Sequence, residues 1–171
     1  GAGFFKGCKN LKNVTLAKSV GTIDGAFRNC TSLKSITLPD RIRSLTGGTF
    51  SGCSALEEVH IGENMVYLGI DAGPEGRGEF SGCVSLKSIE LPKSLLYIRR
   101  DTFNGCKELK EVILHSYKCE IEDSAFDNCD PSLLIKGFND TPAEEFADKH
   151  GFKFEGTEKP EIEEEPEEED Y

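Results

Sequence analysis

Positive charge is scarce in this sequence. Its 171 residues carry 20 Lys and Arg against 31 Asp and Glu, a formal charge of −11. A protein that grips nucleic acid through phosphates needs a basic surface, so that class of function is excluded. Long apolar runs are also missing. None reaches the ~18 residues of a membrane span, so no membrane insertion is expected of this segment. No charged-then-apolar leader opens the sequence. Met occurs once, not at position 1, and the chain reads as a processed piece or an excised fragment. There is no CxxC pair, so a zinc site has no motif. Neither a metal nor a cofactor is expected. What is present, 37% apolar and 30% charged residues in a length that suits one domain, fits a folded chain.

The acidity is concentrated at one end. Glu158 to Tyr171 holds nine acids and one Lys, a net of −8, which leaves −3 on the rest. A run such as Glu163-Glu164-Glu165-Pro166-Glu167-Glu168-Glu169-Asp170 repels itself and has almost nothing to bury. Residues 157–171 are therefore expected to be a disordered acidic tail or linker.

The rest repeats itself. Phe recurs at 5, 27, 50, 80, 103 and 126, and Cys follows three residues later each time. The spacings are 22, 23, 30, 23 and 23. Between these marks stand Leu11, Val14 and Leu16; Leu33, Ile36 and Leu38; Leu56, Val59 and Ile61; Leu86, Ile89 and Leu91; Leu109, Val112 and Leu114. A second apolar pair follows: Val20 and Ile23, Ile42 and Leu45, Met65 and Leu68, Leu95 and Ile98. In the fifth repeat Lys118 replaces one member of that pair, opposite Ile121.

Val14 and Leu16 alternate with polar Asn13 and Thr15, which is strand spacing. One repeat offers about six inward side chains, and at ~1.5–3 kcal/mol each their burial gives on the order of 10–15 kcal/mol. Ordering the backbone of one repeat costs at least as much. A lone repeat cannot fold, so neighbours must stack and share a core. The stack aligns equivalent strands as a parallel sheet at ~4.8 Å per rung.

The pattern Phe80-Ser-Gly-Cys83-Val-Ser-Leu86-Lys-Ser-Ile89-Glu-Leu91-Pro92 resembles the BspA-type branch of the leucine-rich repeat family. The resemblance covers Gly1 to about Gly156 and departs from the pattern at Ala17, Gly62, Lys118 and the long third repeat. It implies a leucine-rich repeat solenoid, mostly β within the α/β horseshoe class, with stacked repeats of about 23 residues and a C-terminal helical cap. It also implies a surface or secreted protein involved in adhesion or host interaction. The expected layout is about five repeats over 1–135, a cap over 136–156, and the tail.

The start, Gly1-Ala2-Gly3-Phe4-Phe5, reads as the remnant of an earlier repeat, with an uncapped edge available for pairing in an otherwise monomeric chain. Near the other end, Leu133-Leu134-Ile135 is expected to be a last strand. Thr141-Pro142-Ala143-Glu144 then reads as a capping box opening a helix over about 141–150. Ala143, Phe146, Ala147 and His150 share one helical face, Gly151 is a natural stop, and Phe152 and Phe154 alternate as a short strand.

Six of the seven Cys occupy one repeat position and should form an inward column. Neighbours ~5 Å apart are within disulfide range, yet bridging side chains that point the same way would twist the rungs. Buried free thiols acting as small apolar fillers are expected, with disulfides or a metal as alternatives, and a reducing or anaerobic setting suits such a column. Cys119 lies outside it and is expected to be more exposed.

Outward strand positions form two rows: Asn13, Ser35, Glu58, Ser88, Glu111 and Thr15, Thr37, His60, Glu90, Ile113. The second row sets Thr37, His60 and Glu90 side by side, a nucleophile, base and acid on paper. Any polar sheet face does this, however, and a flat face lacks oxyanion donors and water exclusion. No catalytic residue is assigned. Thr37, Glu58, His60, Ser88, Glu90 and Glu111 are taken as candidate binding residues, and His115 and His150 as isolated surface groups. The mixed charge and lack of an aromatic platform on this face again exclude nucleic acid.

The insertion over 69–79, with four Gly and one Pro, reads as a surface loop. Asp71, Glu75, Arg77 and Glu79 are its candidate binding residues. Their spacing fits no EF-hand. Asn13, Asn29 and Asn139 begin glycosylation sequons. The expected function is a non-enzymatic module that binds a protein or glycan ligand at a cell surface or outside the cell. A spacer array carrying another domain is the alternative.

Overall fold

The computed structural model describes residues 3–69 and 78–161. The chain winds as a parallel solenoid whose four central turns each contribute one strand to each of two faces. The first sheet takes β1 (Ser35–Thr37), β3 (Glu58–His60), β5 (Ser88–Leu91), β7 (Glu111–Leu114), β9 (Leu134–Phe138) and β10 (Lys153–Thr157). The second takes β2 (Ser44–Leu45), β4 (Tyr67–Leu68), β6 (Tyr97–Ile98) and β8 (Glu120–Ile121). All pairings are parallel.

The alternating residues explain the first sheet. Ile36, Val59, Ile89 and Val112 point in and are buried, whereas their strand neighbours Thr37, His60 and Glu90 stay exposed. Register pairs Ser35 with Glu58, Thr37 with His60, Ser88 with Glu111 and Glu90 with Ile113, the two rows the repeat spacing implies. Hydrogen-bonded pairing runs β1-β3 and, separately, β5-β7-β9-β10; it is interrupted between β3 and β5, on either side of the long third repeat. The second sheet crosses that repeat unbroken, in the order β2-β4-β6-β8.

Phe5, Phe27, Phe50, Phe80, Phe103 and Phe126 form one continuous stack. Successive ring centroids are 5.0–5.6 Å apart, and no pair is tilted by more than 11°. The inserted residues therefore leave the core in register. Phe27, Phe50, Phe80 and Phe103 are fully buried, so each lies between rings of its two neighbouring turns.

Beside the rings run the thiols. Cys30, Cys53, Cys83, Cys106 and Cys129 each donate Sγ–H to the carbonyl of the Phe one turn earlier, at 3.0–3.2 Å. All seven cysteines are free. The five are thus more than apolar fillers, since each adds a bond between turns to a Phe carbonyl that already accepts the N–H of the Cys in its own turn. Burial raises the Cys53 and Cys129 thiols to about 12 and shifts Cys30, Cys83 and Cys106 the same way. Cys119 is buried, against expectation, and is also pushed up to about 12. It lies next to exposed Lys118 and fills the apolar place that Lys118 vacates.

A further expectation changes in the first turn. Val14 and Leu16 form no paired strand: no backbone hydrogen bond joins residues 13–16 to β1, and both side chains are only half-buried. A terminal turn has one neighbour to pack on, which leaves its backbone less constrained. At the other end the short strand expected around Phe152 and Phe154 forms as β10 and pairs with β9.

The helix α1 (Pro142–His150) forms as the sequence indicates, burying Ala143, Phe146 and Ala147 and ending at Gly151 with φ of 74°. The capping box is rearranged. The Thr141 hydroxyl donates back to the Phe138 carbonyl at 2.6 Å, and the Glu144 carboxylate accepts the Asp140 N–H at 2.7 Å. Phe146 and Phe152 pack on Phe126, closing this end of the ring stack. Glu158 and Lys159, expected in the tail, are tied back to Asn139 and the Asp140 carbonyl.

Candidate functional site

The outward face of the first sheet holds the six residues singled out from the sequence. Strand alternation puts them there, and the ladder sets their neighbours. Glu58 and His60 lie two residues apart on β3, so their side chains share a face, and His60 Nε2 stands 2.9 Å from Glu58 Oε1. Thr37 is in register with His60, but no hydrogen bond joins them. Glu90 and His60 stand on turns whose strands are not hydrogen-bonded to each other. Glu90 instead takes His115, which lies just beyond β7, at 2.6 Å. His115 is therefore partnered rather than isolated. The same holds for His150, which meets Asp123 at 3.1 Å and packs on Phe146.

Ser88 faces Glu111 across β5 and β7, and Glu111 is engaged by Lys136 of β9 at 3.0 Å. That carboxylate holds the Lys136 ammonium above its usual range. Lys110, immediately before β7, pairs with Asp130, whose carboxyl it holds well below the usual range. The face is a set of local charge pairs, not a field of one sign.

Two depressions mark it. Where the first turn lies against β1 without ladder bonds, a groove of about 620 Å³ opens. Val14, Leu16 and Ile36 give it an apolar floor, and Thr37, Asp40, Arg41, Glu58 and His60 supply polar groups. A smaller hollow of about 240 Å³ lies between His60, Glu63, Glu90 and His115. Among the described residues no group of three or more His, Cys, Asp or Glu stands where it could hold a metal ion. No helix of the described residues is long and apolar enough to cross a membrane.

The insertion is only partly in view. Asp71, Glu75 and Arg77 lie outside the described residues. Glu79 does not line a surface loop: it is 2% exposed and accepts the backbone N–H groups of Thr49 at 2.7 Å and Gly48 at 3.3 Å. Its own carbonyl accepts the Phe50 N–H. Burial, with the nearby Asp24 charge adding to it, raises its pKa although the two N–H groups pull the other way. The insertion shifts Glu79 into a position where the preceding turn presents unpaired donors, which no composition rule reveals.

Comparisons with known proteins agree with this geometry. The model of the BspA-type leucine-rich repeat region matches residues 1–72 and 76–140 in six copies. A leucine-rich repeat protein from Bacteroides ovatus ATCC 8483 superposes with a TM-score of 0.71 at 24% identity, covering 92% of this chain and 39% of that one. A leucine-rich cell surface protein from Faecalibacterium prausnitzii A2-165 superposes with a TM-score of 0.63 at 26% identity, covering 83% of this chain and 31% of that one. The chain thus spans well under half the length of either. No curated protein matches it. With the repeat model covering most of its length and the stacked rings, thiols and strands in register, the chain belongs to the BspA-type leucine-rich repeat family.

Proposed function

We propose that this chain is a non-enzymatic binding module of a cell-surface or secreted protein, engaging a protein or glycan ligand through the outward face of its first sheet. The groove between the first turn and β1 carries this reading: it combines an apolar floor with exposed polar groups, the mix by which sites gain affinity and orientation. Thr37, Glu58 and His60 line or border it, and Ser88, Glu90 and Glu111 continue the face toward the cap. Surface placement rests on the family and on the cell surface protein it resembles. Residues 70–77 are included as a binding loop through Asp71, Glu75 and Arg77.

The test is a screen of the chain against immobilised extracellular-matrix proteins and glycans, alongside a Glu58→Ala, His60→Ala, Glu90→Ala variant and a deletion of 70–77 that retains Glu79. Binding that the face variant loses supports the reading. Binding untouched by both variants overturns it. The internal pairing of Glu58 with His60, Glu90 with His115 and Glu111 with Lys136 favours the second reading, a spacer array, because paired charges offer less to a ligand. A screen without any binder supports the spacer.

A further inference from the structure

The second sheet bears a ladder of rings with one rung open. Register places Ser44, Tyr67, Tyr97 and Glu120 in one outward row. The Tyr67 and Tyr97 rings stack at 5.6 Å with 2° between planes. The Arg99 guanidinium lies over the Tyr97 ring at 4.6 Å and is pinned by Glu122 of the next turn at 3.0 Å. That spacing leaves no room for it between the two rings, so it closes the far face of Tyr97. The opposite face of Tyr67 looks toward Ser44, whose side chain is too short to cover it. In the turn before, Thr22 holds the equivalent place and is also short.

Tyr67 is 37% exposed, and outside the first turn no other large hydrophobic side chain of the described residues is as open. Val66 and Leu96, half-buried, widen the apolar strip beside it. Arg43 immediately precedes Ser44. It and Arg41 make no ion pair or side-chain hydrogen bond among the described residues. Together with Asp40, Asn64, Val66 and Ser94 they line a depression of about 560 Å³, whose Asp40 and Arg41 also border the groove at the first turn. An apolar strip on a polar molecule marks a contact site, and free guanidinium groups beside it call for an anion.

The open rung asks for a ring with one apolar face, one polar rim and a negative charge. A pyranose lays its axial C–H bonds on an aromatic face, and a uronic acid adds a carboxylate at the rim. We propose that Tyr67 and Arg43 form a binding site for a uronic-acid unit of an acidic glycan, with the sugar ring stacked on Tyr67 over Ser44 and its carboxylate on Arg43. This site lies on the second sheet and does not depend on the face proposed above.

The chain contains no Trp, so its tyrosine emission reports directly on Tyr67 and its few fellow tyrosines. Titration with oligogalacturonate should change that emission and yield an affinity that falls with salt. Tyr67→Ala should weaken binding about tenfold, whereas Tyr67→Phe should retain it. Arg43→Ala should weaken it about fivefold and reduce the salt dependence. The Glu58→Ala, His60→Ala, Glu90→Ala variant should bind like the parent, which separates this site from the first face. Neutral dextran oligosaccharides binding as well as oligogalacturonate would overturn the charge assignment. Equal binding of a poly-glutamate peptide would replace the sugar by an acidic protein segment. Unchanged affinity in Tyr67→Ala with native circular dichroism, or no binding of oligogalacturonate at all, would sink the proposal.

Discussion

Cys83 Sγ lies 3.2 Å from the Phe50 carbonyl oxygen and donates its hydrogen to it, joining the third turn to the fourth. The same bond recurs at every neighbouring pair, so the thiol column and the ring stack tie the same turns together. Burial holds these thiols protonated, and a protonated thiol is a poor nucleophile. In the native chain an aromatic disulfide reagent should therefore label Cys8, which is exposed, and leave Cys53, Cys83 and Cys106 unreacted until the protein unfolds. Rapid labelling of more than two thiols without denaturant would contradict the column.

Phe80 touches rings of the turns on both sides, at 5.4 Å from Phe50 and 5.3 Å from Phe103. Phe80→Ala should cost about 3–5 kcal/mol, because the fully buried ring leaves a cavity shared by two interfaces. Urea titration followed by far-ultraviolet circular dichroism measures it.

Glu79 should make stability depend on pH. Its folded-state pKa is raised above 4.5, so the folded chain prefers it protonated. Its contribution is fully present below the ordinary glutamate value and declines as pH rises through the raised one. Above that the loss is constant. Glu79→Gln should abolish this slope in denaturant midpoints measured across pH. Glu79→Ala should cost about 2–4 kcal/mol, since it strands the Gly48 and Thr49 N–H groups inside the protein.

Two glycines should respond in opposite degree. A Cβ on Gly78 would fall 1.6 Å from the Asp101 carbonyl oxygen, a backbone atom that cannot turn aside. Gly78→Ala should cost about 3 kcal/mol and disturb the adjacent Glu79. A Cβ on Gly151 would meet nothing within 4 Å, so Gly151→Ala should cost only about 1 kcal/mol, the strain of its positive φ. Thermal melts of the two variants give the comparison.

The periodic part of this architecture was legible because inward positions recur with fixed chemistry: Phe80, Cys83, Leu86 and Ile89 have like counterparts in the first five copies. That Thr37, His60 and Glu90 face outward followed from alternation alone. Side-chain partners did not. His115 reaches Glu90 from beyond the end of β7, a proximity set by how the chain leaves the strand. Glu79 looked like a loop acid because its burial depends on where the insertion rejoins the stack. Cys119 looked peripheral because the shift by one residue from Lys118 is a packing choice. The second sheet itself had a signal in Met65-Val66-Tyr67-Leu68 and Leu95-Leu96-Tyr97-Ile98, where the tyrosines coincide. Two matching residues are easily passed over beside six matching phenylalanines.

Every turn is held only by the turns before and after it, and that has a mechanical consequence. Pulled by its two ends, such a coil has no long-range bond to break at once. It should yield from an extremity, one turn after another, each release paying out a 23-residue segment, on the order of 75 Å of slack. The first turn, which pairs no strand with β1, should go first, and the rings of Phe126, Phe146 and Phe152 should make the opposite extremity the last to let go.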